Sequence, residues 1–360
     1  MAAPQDTVWE IEPHTLAKHE ILRRYLGAWF PILSTSNRRV VYIDGFCGPG
    51  KYKGGEDGSP IIALREALKH SERLKGNTVT FLFVDERPDR IAQLKGELAK
   101  FPIPSDYVVH PITGQFESVL REILDNLEGS KLAPTFAFID PFGFKGVPFD
   151  LVQRLLANPK TEVFINIILE AANRFLEHPD TQTRQHIVDL FGTEEVLEIA
   201  RRPRNRTIEL RLLYQRKLSS CARFVRYFEM RNCYNRIIYC LFFASNHPLG
   251  HVKMKEAFWK VDTSSGFCFS DATNPNQLLL FEIEEVSNLA SDLLREFANQ
   301  RVSVGEVRRY VENNTPFIVS QMRRALKQLE QDGKIVVGES KRDGSKRRRN
   351  TYPDEAVIEF

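Results

Sequence analysis

No two cysteines of this chain stand at C-x-x-C spacing. Its five, Cys47, Cys221, Cys233, Cys240 and Cys268, are scattered. That argues against a zinc site and against a disulfide framework, and for small buried hydrophobes in a reducing compartment. His247 and His251 have no carboxylate at ligand spacing, so no metal is expected there either. No apolar run approaches the roughly 20 residues that a membrane-spanning helix needs. Residues 1–12 are polar and acidic rather than signal-peptide-like. The expected setting is the cytoplasm, with no membrane partner. A phosphate-cradling G-x-x-x-x-G-K-[ST] is missing, because Lys51 is followed by Tyr52. Charge of one sign is also lacking. The net charge is only +3, and its distribution is more informative, with a dense basic run near the C-terminus. No internal repeat and no low-complexity segment precedes that run.

What is present is an ordinary globular composition, 42% hydrophobic and 27% charged over 360 residues. That length predicts two domains. Residues 14–33 carry apolar side chains at helical spacing. Residues 39–43 are β-rich and run into a glycine loop. Ser59-Pro60 then opens a helix predicted to reach residue 74, with Ser59 as N-cap and Pro60 at the first position. Strands are predicted at 79–84, 107–110, 135–139 and 162–169, with helices at 89–100, 116–127 and 150–156 between them. Strands that are apolar on both faces and alternate with helices imply a mostly parallel sheet covered on both sides. Residues 170–220 read as helical. Two strands at 224–230 and 237–244 read as an antiparallel hairpin closing the sheet. The expected class is therefore α/β, a Rossmann-like sheet. Its domain spans 36–270, with a helical segment at 1–35 packed on it.

Three acids, Asp44, Asp85 and Asp140, sit at the C-terminal ends of three successive strands. In an open α/β sheet the ligand lies beyond those ends, where strand order reverses. Any one of them alone reads as a turn or a helix cap; three in that order read as a site. A dinucleotide fingerprint needs G-x-G-x-x-G directly before a helix, and this loop instead continues through Gly54, Gly55 and Gly58.

Asp44-Gly45-Phe46-Cys47-Gly48-Pro49-Gly50 resembles motif I of S-adenosylmethionine (SAM)-dependent methyltransferases. A parallel sheet closed by a hairpin is also what that fold looks like. The resemblance implies SAM as cofactor, with Asp44, Phe46, Gly48 and Gly50 at its methionine end. By the same resemblance Asp85 accepts from both ribose hydroxyls. Gln115 and Phe116 would flank the adenine by hydrogen bond and stacking. Asp140-Pro141-Phe142-Gly143 is similar to the D-P-P-[YF] motif of amino-group methyltransferases, with Phe in place of the second Pro. There an acid and a Pro carbonyl accept hydrogens from the target amine while an aromatic ring stacks on a flipped base. Here those roles would fall to Asp140, Pro141, and Phe142 or Phe144. Lys18, His19 and Arg174 are candidates for lining the substrate cleft.

Residues 13–262 also resemble a narrower family, the three-Cys-motif partner proteins (TcmP). The likeness runs through His14-Thr15, Lys18-His19, Tyr25-Leu26, Ala28-Trp29, the segment 42–50, Gly58-Ser59-Pro60, the segment 138–143, Ile165-Asn166, Asn173-Arg174-Phe175, the segments 190–193 and 251–255, and Trp259. It implies a partner protein carrying three cysteines in a radical-SAM-like spacing.

After a linker at 271–285, residues 286–360 read as a winged helix. Helices are predicted at 286–298, 303–313 and 317–331, a strand at 334–338, a basic loop, and a return strand at Thr351-Tyr352. The third helix places Gln321, Arg323, Arg324, Lys327 and Gln328 off its apolar stripe. The loop adds Lys341, Arg342, Lys346, Arg347, Arg348 and Arg349. Such a helix enters a major groove while its wing reaches phosphates, so nucleic acid is the expected partner, DNA before RNA. Two functions follow. One is a methyltransferase acting on nucleic acid. The other is a non-catalytic protein that uses the same cleft to recruit a partner enzyme to DNA.

Overall fold

The computed structural model describes residues 4–127, 130–202, 204–263, 265–271, 282–338, 347–348 and 350–360. The chain divides into two units, Met1–Ala257 with Cys268–Thr273, and Phe258–Phe267 with Asn274–Phe360.

The first unit opens with α1 (Pro13–Ser34). Then come β1 (Arg39–Asp44), α2 (Ser59–Lys69), α3 (Ser71–Leu74), β2 (Thr78–Asp85), α4 (Pro88–Leu98), β3 (Tyr107–Thr113), α5 (Phe116–Asp125), β4 (Thr135–Ile139), α6 (Phe149–Leu156) and β5 (Thr161–Ile167). Four helices follow: α7 (Leu169–Phe175), α8 (Thr181–Phe191), α9 (Glu195–Ala200) and α10 (Arg206–Ser219). The sheet is completed by β6 (Phe224–Arg231), β7 (Ile237–Ser245) and, after α11 (Pro248–Val261), β8 (Cys268–Ser270).

The strand order is β3-β2-β1-β4-β5-β7-β6-β8. β1 to β5 are parallel, and β7 runs antiparallel between β5 and β6. This is the methyltransferase-type Rossmann arrangement, with β8 added in parallel beyond β6. Every residue of β4 and β5 is buried, as a strand covered on both faces requires. α1 lies on the sheet through Ile21, Leu22, Tyr25, Leu26, Trp29 and Phe30, all buried. The Tyr25 ring meets Phe136 at 5.1 Å and Phe243 at 5.2 Å.

Two local readings need correction. The helix expected over 59–74 breaks at His70, whose backbone leaves the helical region. Ser59 is not the N-cap. Gly58 holds that position, and Ser59 is the first helical residue, buried, with its hydroxyl pulling the Asp44 pKa down.

The second unit contains the end of α11, then α12 (Glu282–Glu296), β9 (Arg301–Ser303), α13 (Val304–Asn314), α14 (Val319–Gln331), β10 (Val336–Val337) and β11 (Val357–Glu359). Its sheet runs β10-β11-β9, antiparallel throughout. This is a winged helix with three helices and a three-stranded sheet. Leu289, Leu293, Val307, Val311, Met322, Leu326, Leu329 and Ile358 form its core. Trp259 joins them, its ring stacked on Phe317 at 6.0 Å and its N–H donating to the Pro316 carbonyl at 2.7 Å. Ser303 caps α13 by a reciprocal pair with Glu306.

The return strand is not Thr351-Tyr352. Those residues pair with no strand; Thr351 N–H donates to the Arg348 carbonyl, and the strand that pairs with both β10 and β9 is β11. Glu282 is already helical, inside the expected linker, and residues 272–281 lie outside the described residues. Among the described residues no helix is long and apolar enough to cross a membrane.

Candidate functional site

The carboxyl ends of β1 and β4, the loop after β1, and the start of α1 enclose a cavity of about 220 Å3. Asp44 closes β1 and is completely buried. The Tyr42 hydroxyl donates to its Oδ2 at 3.3 Å, while Oδ1 has no hydrogen-bond partner. Burial, with the nearby Asp140 charge, pushes its carboxyl up to about 7, against the pull of Ser59, the Phe46 amide and Tyr42. The chain then turns through Gly48 (φ 62°) and Gly50 (φ 81°). A Cβ on Gly50 would lie 2.7 Å from Leu94 Cδ1, so glycine is required there both by conformation and by space. Gly58 N–H donates to the Gly50 carbonyl at 2.8 Å and closes the loop.

Asp140, just past β4, is held from two sides. Lys18 of α1 forms an ion pair with Oδ2, and Asn166 of β5 donates to Oδ1 at 2.8 Å. The Lys18 ammonium also stands 5.4 Å from the centre of the Tyr239 ring. His19 is buried, and burial together with the Lys18 charge lowers its pKa to about 3, so the ring is neutral. Its Nδ1 has no hydrogen-bond partner. The cleft therefore carries a fixed ion pair, a neutral imidazole and a buried carboxyl poised near neutrality.

Residues 4–12 form a strap that roofs the cavity. Lys53 N–H donates to the Trp9 carbonyl at 2.9 Å, and the Trp9 ring meets Tyr52 at 5.5 Å and Phe142 at 5.7 Å edge to face. The Arg90 guanidinium lies 4.8 Å from the Trp9 ring and 5.2 Å from the Phe142 ring. It donates to the Pro4 carbonyl at 2.7 Å and faces Asp85 at 3.7 Å. Asp85 is 3% exposed and accepts from Gly48 N–H at 3.1 Å and Arg87 N–H at 2.9 Å.

The structure thus brings Phe46, Gly48, Gly50, Asp140, Pro141, Phe142, Lys18 and His19 to one cavity, with Asp44 buried directly beneath it. It does not bring the others. Asp85 lies behind the strap and Arg90. Phe116 offers no open stacking face: its ring is buried against Gly45, where a Cβ would come within 2.9 Å of it, and against Phe46 at 5.5 Å. Gln115 is exposed outside the cavity. Phe144 is buried against Phe175, and Arg174 is exposed with its guanidinium over that same ring.

Trp9, Tyr52, Arg90, Asn166 and Tyr239 were not singled out as site residues from sequence. Asn166 carried a usable signal, being the one polar side chain in the run Val163-Phe164-Ile165-Asn166-Ile167. Trp9 carried none.

On α14, Arg323, Arg324 and Lys327 are exposed and share a groove of about 680 Å3 with exposed Arg348. Two neighbours behave differently from expectation. Gln321 is buried, and its Oε1 accepts from Ile318 N–H at 2.8 Å, so it caps the helix. Arg347 is not free to reach a phosphate. Its side chain is 7% exposed, it forms an ion pair with Glu330, and it donates to the Thr351 carbonyl at 2.8 Å. Lys341, Arg342, Lys346 and Arg349 lie outside the described residues.

Residues 269–341 match the model of a family described as the GMT-like wHTH domain. No curated protein matches the chain in sequence. Among solved structures, it is similar to human methyltransferase-like protein 13 in complex with SAH (9% identity, 75% of this chain and 98% of that one, TM-score 0.35). It is similar also to protein LPL1258 of Legionella pneumophila str. Philadelphia 1 (14% identity, 71% of this chain and 92% of that one, TM-score 0.42). A third is the O-methyltransferase TomG of Streptomyces achromogenes in complex with SAM (13% identity, 62% of this chain and 79% of that one, TM-score 0.35).

Proposed function

We propose that this chain is a SAM-dependent methyltransferase acting on nucleic acid at a base amino group. One observation carries the reading: Asp44 ends the central strand β1 with a fully buried carboxyl, one oxygen of it unpartnered, directly before a glycine turn whose Gly48 and Gly50 line the cavity. Those residues fit the methionine end of SAM. Asp44 would pair with its α-ammonium, and the backbone of Phe46, Gly48 and Gly50 would lie against its chain. When bound, the cofactor supplies a methyl group activated by a sulfonium. Asp85 keeps lone pairs for two ribose hydroxyls once Trp9 and Pro4 swing aside.

Methyl transfer from a sulfonium needs mainly alignment and desolvation. Asp140 supplies alignment, because Lys18 and Asn166 hold its carboxylate in one orientation while leaving a lone pair on each oxygen. The Pro141 carbonyl accepts a second hydrogen from the acceptor amine, and Phe142 offers an aromatic face. The exposed cations of α14 and Arg348 support docking on nucleic acid, and the winged-helix form favours duplex DNA over RNA. The resemblance of residues 13–262 to TcmP proteins supports a three-cysteine-motif partner. The test is calorimetry of the full chain with SAM and SAH, followed by transfer of labelled methyl to DNA, RNA and the purified partner. Micromolar binding with label in nucleic acid is expected. The absence of heat with either ligand, on folded protein, refutes the cofactor.

The strap favours a second reading. With Trp9 against Gly48 and Arg90 beside Asp85, the chain itself covers part of the cleft, as suits a non-catalytic protein that docks its partner on DNA. SAM binding without transfer to any acceptor would select it.

A further inference from the structure

The opposite, amino-terminal edge of the parallel strands holds a second cavity, of about 150 Å3. It lies between α1, the start of β5 and the turn from β7 into α11. Its wall carries a carboxylate that the proposed methyl transfer does not use. Glu162 is 6% exposed. The Tyr25 hydroxyl donates to its Oε2 at 2.6 Å and the Ser245 hydroxyl to its Oε1 at 2.8 Å. Gly250 lies so close that a Cβ there would stand 1.9 Å from Oε1; only glycine gives this carboxylate its place.

Neutral hydroxyls satisfy part of the hydrogen bonding and none of the charge. Burial raises the Glu162 pKa, only partly offset by those hydroxyls and the Trp29 indole. No ion pair forms with it among the described residues. The two lysines at the cavity are engaged elsewhere, Lys160 with Asn37 at 2.7 Å and Lys253 with Glu256 at 2.8 Å. A buried carboxylate without a cation is costly. Trp29 lines the same cavity. Its indole is 2% exposed, and its N–H makes no hydrogen bond of good geometry but acts on Glu162, helping to lower that carboxyl's pKa. Tyr25, Ile32 and Leu33 complete an apolar wall. Aromatic faces beside a carboxylate favour cations, and a cavity of roughly this volume accommodates a benzene-sized ring.

We propose that this cavity binds a small organic cation, an amidinium, guanidinium or ammonium group that donates to Glu162 while its skeleton lies against Trp29 and Tyr25. The site is separate from the methyltransferase cleft and does not depend on it.

Benzamidine is the probe, with its neutral isostere benzamide as control, both titrated into the full chain by calorimetry. The Trp29 indole resonance is followed in a 1H–15N spectrum, where three tryptophans make assignment by substitution simple. Benzamidine should bind and shift the Trp29 resonance, and benzamide should bind at least tenfold more weakly. Glu162→Gln should lower benzamidine affinity at least tenfold. Should that variant fail to fold, Leu33→Trp leaves Glu162 untouched, fills the cavity, and should abolish binding. N-acetylarginine amide distinguishes the sources of such a cation. Its binding marks an arginine side chain presented by another protein, its exclusion a free metabolite, and each keeps the cation assignment once benzamidine binds. Equal binding of benzamide and benzamidine, or no binding of benzamidine, overturns the proposal.

Discussion

Asp44→Asn separates the methyltransferase reading from a merely structural carboxyl. In the folded chain the Asp44 carboxyl rises from 3.8 to about 7, which corresponds to roughly 4 kcal/mol of preference for the protonated form. Because the folded value is the higher one, its contribution to stability is complete below pH 3.8 and is lost as pH rises through about 7. The asparagine variant, which never ionises, should therefore gain on the wild type by roughly 2–3 kcal/mol between pH 5 and pH 8. Denaturant unfolding at the two pH values measures this. Ligand binding supplies the complementary sign. A cationic α-ammonium pairs with the ionised carboxylate, so below pH 7 the site must first lose a proton. From pH 8 to pH 6 the affinity of the wild type for SAH should fall about tenfold relative to the variant, with close to one proton released at pH 6. Titration of the ligand's own ammonium is common to both proteins and cancels in the ratio. Calorimetry in buffers of different ionisation enthalpy reads both affinity and proton release. A ratio that stays within about twofold from pH 6 to pH 8 would refute the pairing of Asp44 with the ligand.

Asp85→Ala should weaken SAH binding by about 1.5–3 kcal/mol, as for lost hydrogen bonds to a charged group; unchanged affinity on calorimetry removes Asp85 from the cofactor site. Trp9→Ala loosens the strap. If the strap competes with the nucleoside, SAH affinity rises and amides of residues 4–12 exchange faster; lowered affinity instead makes Trp9 a wall of the bound site. Asp140→Asn should leave SAH affinity nearly intact and lower kcat by roughly 100-fold, since the lost contact acts on alignment; loss of SAH binding would place Asp140 with the cofactor. In the winged helix, Arg324→Ala with Arg348→Ala should flatten the slope of log K against log salt on duplex DNA by about 1.8, two phosphates' worth. An unaltered slope points to a protein-docking role for that surface.

Periodicity read the centre of the sheet well, because β4 and β5 are covered on both faces and so appear as apolar runs, whereas the edge strand β3 is half exposed and reaches Thr113, beyond the expected 107–110. Val163, Phe164 and Ile165 leave little room for another reading. β8 and β9 escaped because three residues carry no period, and each is a strand only through its neighbour, β6 or β11. Capping chemistry misled at Ser59. Serine before Pro60 is the pattern of an N-cap, but the glycine ahead of it reaches the extended conformation equally well and frees the hydroxyl for Asp44. Thr351-Tyr352 misled in the same way. β propensity was present, yet the Tyr352 hydroxyl is held by Glu330 at 2.7 Å, which ties that segment to α14 rather than to the sheet.

The site was legible where one residue acts alone and illegible where residues act in pairs. Asp44 with its glycines is a local pattern, and the fold places it where a ligand lies. What Asp140, Asp85, Phe116 and Arg347 can do is decided by partners that the fold brings to them: Lys18 and Asn166, Arg90 and the strap, Gly45 and Phe46, Glu330. Arg347 shows the principle most plainly. In sequence it is one of three adjacent arginines with equal claims on a phosphate. In the fold, Glu330 on the inner side of α14 captures it and leaves Arg348 outward beside Arg324 and Lys327. A guanidinium already paired and mostly buried has spent its fork of donors. Neutralising it should therefore cost wing geometry and stability rather than counterion release. A basic run thus divides into residues that build the wing and residues that present charge, and only the contacts across to α14 tell which is which.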